Sequence, residues 1–297
     1  MFLSFYTATI QHELFKRQPL QRGAFMLTIH SVRHIALQDG DGRHLRYALQ
    51  PIDVYDNDPF ILMADDKFAH NTFADHPHKG IQTVTYVLEG SLTHYDSKTG
   101  GGGRLKEGDF QIMTAASGII HNENPDYGEE ARVLQLWVNL SSAHKKLPGQ
   151  YEDLPKEKVP ILHFEGGHVE VLAGEVDGVT SPLTLFTPFQ YAAVTLNGSY
   201  SFPVSAGYTT YLYVIEGHPT VNGNTLNTFD MVHFETSKTA DTIELASEAH
   251  AKVVIFSGLP IKEPIVARGP FVMNTDEEIQ KAFSSYRNGT FLNGTPY

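Results

Sequence analysis

The sequence predicts an all-β protein made of two β-barrel lobes, with one helix near its C-terminus. Three observations indicate this fold. Short β-branched and aromatic runs recur along the 297 residues, separated by turn signals roughly every ten residues. One short strand-like segment occurs twice in nearly the same form. Helical periodicity is scarce and is clearest close to the C-terminus.

The strand predictions rest on β-branched and aromatic content and on alternation of apolar and polar side chains. Such alternation buries one face of a strand and exposes the other. The runs with these properties are Gln82–Leu88, Arg132–Val138, Val169–Ala173, Thr209–Ile215 and Ala251–Phe256. Many short strands at this spacing are typical of sandwiches and barrels.

The repeated segment divides the chain into two similar parts. Tyr86–Gly90 reads Tyr-Val-Leu-Glu-Gly and returns as Tyr-Val-Ile-Glu-Gly at Tyr213–Gly217, an offset of 127 residues. Each copy continues through a polar turn into a second apolar run, Gly108–Met113 or Phe229–Phe234. Two lobes of the same architecture explain this pattern. The alternative is that two strand–turn segments coincide by chance.

The lobe boundaries follow from composition. Residues 141–160 are polar and contain three prolines, which is typical of a linker. We therefore predict an N-terminal lobe over residues 26–150 and a C-terminal lobe over residues 151–297. Residues 1–25 are predicted to be an extension. They are either a tail that docks its apolar side chains on the surface or the product of a wrongly chosen start codon, with Met26 as the true first residue.

The C-terminal helix has a recognisable start. Thr275 and Glu278 have the spacing of a capping box, in which each side chain accepts a hydrogen bond from the other residue's backbone N–H. Ile279, Ala282 and Phe283 then follow at helical spacing. The pattern predicts a helix over residues 276–286 that packs on a barrel.

Charge and composition exclude several function classes. The net charge is −12 and the chain has no dense run of Lys or Arg, which argues against direct nucleic-acid binding and against an anionic membrane surface. The absence of cysteine excludes disulfides, thiolate metal sites and cysteine nucleophiles. No apolar run approaches the ~18 residues of a membrane span. We expect a cytoplasmic protein.

Two short motifs predict a metal site in the N-terminal lobe. His76 and His78 are two residues apart in an extended segment, so both imidazoles point to one face, and Pro77 favours that geometry. His121 and Glu123 repeat this spacing after one hairpin. Three imidazoles and one carboxylate suit a first-row divalent metal, and the lack of thiolates disfavours a structural zinc site.

Other histidines lack such a pattern and are interpreted as structural or surface residues: His94, His144, His163, His168, His218, His233 and His250. Applying the 127-residue offset places Pro203 and Ser205 where the first lobe has His76 and His78. Neither is a good ligand for a transition metal. The C-terminal lobe is therefore predicted to be free of metal.

Several motifs together resemble the pirin family of bicupins, whose two lobes are jelly-roll barrels. The motifs are His76–Gly80, Thr83–Gly90, Gly108–Ala115, Gly118–Glu123 and the tail Pro264–Asn274. The resemblance covers roughly residues 26–287. It implies that His76, His78, His121 and Glu123 are the ligands of an iron-type site and that the second cupin is degenerate. Manganese, copper, nickel and zinc are the other metals considered.

The resemblance also implies a function. Some family members act as quercetin 2,3-dioxygenases, so the first hypothesis is a metal-dependent dioxygenase that oxidises quercetin or a similar flavonol with O₂. The small aromatic substrate and O₂ would meet at the open coordination positions. The alternative is a non-enzymatic, metal-dependent regulatory module that binds a protein partner, as eukaryotic members that act as transcriptional co-regulators do.

One position departs from the family pattern. The general cupin motif, and many pirins, place Glu four residues after the second histidine, and this chain has Gln82 there. Gln82 is predicted to lie near the pocket as a hydrogen-bonding group, but it cannot act as a base. If that carboxylate normally takes a substrate proton, Gln82→Glu should raise kcat. If the substrate binds already ionised, the change should do little.

Overall fold

The computed structural model describes residues 25–40, 43–97 and 102–292, and the predicted extension lies outside this range except for Phe25. Strands dominate the regular structure of the described chain, which has the single α-helix α1 (Asp276–Arg287), as predicted for an all-β bicupin. The capping box of Thr275 and Glu278 is present at the start of that helix. No helix in the described ranges has the length and apolar character needed to cross a membrane.

The strands of the first part of the chain build the N-terminal lobe, apart from the first strand. They are β1 (Ile29–His34), β2 (Gln38–Gly40), β3 (Arg43–Leu49), β4 (Phe60–Ala69), β5 (His76–His78), β6 (Ile81–Glu89), β7 (Ser91–Asp96), β8 (Arg104–Lys106), β9 (Phe110–Thr114), β10 (Ile119–Asn124), β11 (Glu130–Asn139) and β12 (Gln150–Leu154).

The remaining strands build the C-terminal lobe and the segment that leads to the helix. They are β13 (Ile161–Phe164), β14 (Gly167–Ala173), β15 (Glu175–Val176), β16 (Val179–Thr180), β17 (Phe189–Val204), β18 (Thr209–Glu216), β19 (Thr220–Val221), β20 (Asn224–Thr225), β21 (Asp230–Phe234), β22 (Asp241–Gly258), β23 (Val266–Arg268) and β24 (Phe271–Met273).

Each lobe is an antiparallel barrel. In the N-terminal lobe a seven-stranded sheet, in the order β12-β9-β6-β11-β4-β3-β2, is joined by a four-stranded sheet in the order β5-β10-β7-β8. Ile81 and Met113 of the first sheet pack against Ile119 of the second, so the two sheets enclose one interior. The C-terminal lobe has one nine-stranded sheet whose main path is β1-β21-β18-β22-β17-β14-β13.

Two exchanges tie the lobes together across the predicted boundary. Strand β1, from the start of the N-terminal region, pairs with β21 of the C-terminal lobe. At the other end of the chain, Phe271 and Ile279 pack with Ile120 of β10 in the N-terminal lobe. Neither lobe can therefore be separated from the other without breaking strand pairing or apolar contacts.

The interface between the lobes uses the two tyrosines of the repeated segment. Tyr86 donates a hydrogen bond to Glu170 of the C-terminal lobe at 3.0 Å, and Tyr213 donates to Asp65 of the N-terminal lobe at 2.9 Å. Both tyrosines belong to one buried apolar cluster drawn from both lobes. The face of β6 that carries Tyr86 therefore points to the interface, and its other face points into the N-terminal barrel.

Candidate metal centre

The histidines of the site lie on two paired strands. In the antiparallel pair of β5 and β10, His76 stands directly opposite His121, and His78 follows two residues later on the same face. The ring centres of His76 and His121 are 4.5 Å apart, and His78 lies 5.0 Å from each. Donor atoms of the three side chains all lie within 4.8 Å of one another. The spacing seen in the sequence thus yields a convergent cluster.

Glu123 joins this cluster through His121. A donor oxygen of Glu123 lies within 4.8 Å of donor atoms on His121 and His94. The four predicted ligands are thus divided between two groups that share His121, and the second group also contains His94. Two hydrogen bonds fix the carboxylate. Thr85 donates to Oε1 at 3.0 Å, and Gln135 donates to Oε2 at 2.8 Å.

Burial and neighbouring groups set the charges of His78, His121 and Glu123. Desolvation, reinforced by the neighbouring His76, lowers the pKa of His78 to about 3, and burial also holds the pKa of His121 well below its ordinary value. Burial alone would raise the pKa of Glu123, but contact with His94 and the hydrogen bond from Thr85 bring it below the usual value. At neutral pH His78 and His121 are therefore neutral imidazoles and Glu123 is an anionic carboxylate, which are the states that bind metals.

The polar atoms at the centre fit a metal ion. His76 Nδ1 donates to the carbonyl oxygen of Ala74 at 2.9 Å, which leaves Nε2 as the free ligand atom. Both ring nitrogens of His78 and His121 are buried and have no hydrogen-bond partner among the described residues. Buried nitrogens without partners are costly. A divalent metal would bind one nitrogen of each ring, so the cluster is compatible with such an ion.

His94 is part of the centre, although the sequence interpretation left it among the structural histidines. Its side chain is fully buried, and its ring centre lies 5.2 Å from that of His121. A signal existed in the sequence, because His94 and Asp96 repeat the spacing of two residues in a strand. Only the register of β7 against β10 shows that this pair faces the ligands.

A pocket of about 230 Å³ opens beside the cluster. Its wall includes the rings of Trp137 and Phe73, and the Trp137 ring lies 4.9 Å from that of His78. Arg43 forms an ion pair with Asp66 on the same wall and stacks over Phe73, with its guanidinium carbon 4.7 Å from the ring centre. The pocket therefore combines aromatic surface with a fixed cation and adjoins the candidate ligands.

Comparisons with known proteins agree with this geometry. Residues 33–138 match the family model described as Pirin, and residues 191–292 match the model of the pirin C-terminal cupin domain. The chain is 34% identical to Pirin of Homo sapiens over 256 residues, which cover 84% of this chain and 88% of the human protein. The chain belongs to the pirin family.

Two further relatives show how widely the similarity extends. Pirin-1 of Arabidopsis thaliana is 36% identical over 258 residues, covering 84% of this chain and 89% of that protein. The crystal structure of quercetin 2,3-dioxygenase from Acinetobacter baumannii superimposes with a TM-score of 0.80 at 31% identity, covering 90% of this chain and 99% of the other. Both lobes of the pirin fold are thus represented here.

Gln82 does not lie with the four predicted ligands. It is fully buried, donates a hydrogen bond to Thr114 at 2.9 Å, and is not among the residues that line the pocket. Strand β6 alternates its faces, and Thr85, which reaches Glu123, is three residues further on. Gln82 therefore shares the face of Tyr86, towards the interface between the lobes.

The C-terminal barrel has a different interior. The offset aligns Pro203 and Ser205 with the first two histidines; Pro203 is the penultimate residue of β17, and Ser205 directly follows that strand. Around them the barrel is filled by apolar side chains, including Phe202 and Ile243, which face each other across β17 and β22. The candidate groups of metal-binding side chains found in the described ranges both lie in the N-terminal lobe.

Proposed function

We propose that this protein is a metal-dependent dioxygenase that oxidises quercetin or a similar flavonol with O₂. The observation that carries the proposal is the convergence of His76, His78 and His121, with Glu123, beside an aromatic-lined pocket. The similarity to a structure named quercetin 2,3-dioxygenase supports the choice of substrate class. The absence of cysteine fits a reducing compartment, and we propose the cytoplasm.

The proposed ligands are the three imidazoles and the Glu123 carboxylate, and iron is the proposed metal. When bound, such an ion would supply a Lewis-acidic and redox-active centre with coordination positions left for substrate and O₂. Imidazole nitrogens suit iron, copper, nickel and zinc, and the Glu123 carboxylate also suits manganese. The choice among these metals therefore depends on supply as well as on the ligands.

The chain's own residues would bind and orient the substrate. The rings of Trp137 and Phe73 offer flat apolar surfaces on which an aromatic substrate can stack. Arg43 is held by Asp66 and Phe73, so its remaining N–H groups are preorganised to donate to a substrate oxygen. Thr85 and Gln135 hold Glu123 so that the carboxylate keeps one orientation during the reaction.

The test is flavonol turnover by the full chain loaded separately with iron, manganese, copper or nickel. Loss of quercetin absorbance and consumption of O₂ are followed for the wild type, His76→Ala and the control His233→Ala. His233 is a histidine of the other lobe whose ring stacks on Tyr211 at 4.4 Å. The proposal predicts turnover by the wild type and the control and none by His76→Ala.

Two results would contradict the proposal. Equal turnover by His76→Ala and the wild type would show that the oxidation does not use this centre. Absence of turnover with every metal, in protein that binds the metal stoichiometrically, would favour a metal-dependent regulatory module instead. A sample that contains the same metal and no protein provides the blank, because oxidation of quercetin by free metal must be subtracted.

A further inference from the structure

Strand β7 brings two buried polar side chains to the back of the metal centre. It pairs with β10 in a register that sets His94 opposite Glu123 and Asp96 opposite His121. Residues opposite each other in an antiparallel pair point to the same face. Both His94 and Asp96 are fully buried. This face of β7 therefore lies against His121 and Glu123, the two candidate ligands on β10.

The imidazole of His94 lies between two carboxylates. Its Nδ1 is 3.9 Å from Oε1 of Glu123, and its Nε2 is 3.8 Å from Oδ2 of Asp96. Within the described residues neither nitrogen makes a hydrogen bond to another group. A displacement of about 1 Å would bring either contact into hydrogen-bond range. A buried imidazole without partners is costly. A neutral imidazole carries one N–H and can donate to only one of these carboxylates, and an N–H on Nδ1 would donate to Glu123.

We propose that His94 is a positioning residue that fixes Glu123 for metal binding, an inference that rests on the proposed metal site. A carboxylate has about four lone-pair positions. Thr85 already occupies one on Oε1, and His94 approaches that same oxygen. Gln135 occupies one on Oε2, which leaves the last position on Oε2 for an ion. His94 thus directs Glu123 to bind the metal through Oε2 alone.

A second role for His94 fits the same geometry and is an outcome of the test. Its donor atom lies within 4.8 Å of those of His121 and Glu123, so His94 could itself be a ligand. The two roles differ in how many imidazole nitrogens bind the metal. As a positioning residue His94 leaves three, from His76, His78 and His121. As a ligand it contributes a fourth.

The test measures the dissociation constant of Ni²⁺ for the full chain and for His94→Ala, Glu123→Ala and the double variant. We expect His94→Ala to weaken binding about 10- to 100-fold, as is usual when a group that orients a ligand is lost. Because His94 acts through Glu123, the double variant should bind no more weakly than Glu123→Ala alone. Pulsed electron paramagnetic resonance of the Cu²⁺ form should count three imidazole nitrogens in both wild type and His94→Ala.

Controls separate this role from general damage to the strand. Leu92 is a buried residue on the same face of β7, and Leu92→Ala should lower the melting temperature without changing Ni²⁺ affinity. His94→Gln keeps a hydrogen-bond donor and should recover part of the affinity, and it replaces His94→Ala if that variant does not fold.

Unchanged Ni²⁺ affinity in both His94 variants, additive losses in the double variant, or one fewer imidazole nitrogen in His94→Ala would each overturn the inference. Failure of the proposed function gives a different result. If the wild type and Glu123→Ala bind Ni²⁺ equally weakly, the metal site itself is wrong. If Glu123→Ala loses affinity and the His94 variants do not, only the role of His94 is wrong.

Discussion

The two lobes use the same strand plan but fill their barrels with different chemistry. In each lobe, the segment before the repeated tyrosine strand pairs with a later strand. In the N-terminal lobe this pairing sets His76 opposite His121. In the C-terminal lobe it sets Phe202 opposite Ile243, both fully buried. The interior of the N-terminal barrel thus contains potential metal ligands, and the interior of the C-terminal barrel contains apolar side chains.

The difference indicates what each lobe contributes. Burying an aliphatic or aromatic side chain stabilises a fold by about 1.5–3 kcal/mol, so the C-terminal interior is stable without any bound group. Buried imidazoles and carboxylates destabilise a fold unless they find partners. The N-terminal lobe buries such groups in a cluster that is compatible with a divalent metal, and polar contacts join this lobe to its neighbour. Tyr213 of the C-terminal lobe, for example, hydrogen-bonds to Asp65, which also forms an ion pair with Arg132 at 2.8 Å.

The largest expected effect tests whether metal binding belongs to the N-terminal lobe, where loss of a candidate ligand should abolish or strongly weaken it. His121 belongs to both candidate ligand groups, so His121→Ala removes a donor that each requires. We expect its Ni²⁺ affinity to fall by more than ~100-fold, beyond the range typical of groups outside the coordination sphere. Isothermal titration calorimetry and elemental analysis of the purified protein provide the measurement.

The matched control is His233→Ala, which removes a half-buried histidine from the C-terminal lobe. It should bind one equivalent of metal as the wild type does. Two equivalents in the wild type, or metal retained by His121→Ala and lost by His233→Ala, would place a binding site in the second barrel and contradict the division of roles.

A second prediction concerns the apolar barrel. Ile243→Ala removes a fully buried side chain opposite Phe202 and leaves a cavity, which typically lowers the free energy of unfolding by 2–5 kcal/mol. Metal stoichiometry at a temperature where the variant stays folded should be unchanged. Urea unfolding followed by circular dichroism gives the first quantity and elemental analysis the second. Loss of metal in this variant would show that the two interiors are more closely coupled than their separate chemistries indicate.

Several features of the fold could be predicted because they depend on short-range spacing. Side chains two residues apart in a strand point to the same face, and for this reason His76 and His78 were predicted to converge with His121. The capping box depends on Thr275 and Glu278 alone. The repeated tyrosine segment predicted two lobes because its pattern does not depend on long-range pairing.

Features that depend on strand register could not be predicted in the same way. His94 faces Glu123 only because β7 pairs with β10, which follows it in the chain after β8 and β9, and the sequence does not fix that register. The pocket wall of Arg43 and Asp66 comes from β3 and β4, which carry no motif. The pairing of β1 with the sheet of the other lobe could not be predicted either. The two paired strands, β1 and β21, are about 200 residues apart in the sequence, and such a separation leaves no periodic signal.

The smallest effect on activity is expected for substitution of Gln82. This substitution tests whether the two faces of β6 are as distinct as the structure indicates. Gln82 lies on the face that meets the C-terminal lobe, beside Thr114 and on the same side as Tyr86. Gln82→Glu would bury a carboxyl group that has no cationic partner among the residues it contacts there. Such a group destabilises the fold or stays protonated. We expect the free energy of unfolding to fall by about 1–3 kcal/mol.

Activity should respond differently from stability in this variant. General-base catalysis contributes ~10²–10⁴-fold, so a carboxylate that reached the substrate would raise kcat measurably. From the opposite face of β6 it cannot reach the pocket, and we expect kcat per folded molecule and Ni²⁺ affinity to stay at the wild-type values. Gln82→Met is the matched control, because it keeps the side-chain length and removes only the hydrogen bond to Thr114. A rise in kcat for Gln82→Glu but not for Gln82→Met would mean that the side chain turns into the barrel. The interface and the metal centre would then share a residue that the structure keeps apart.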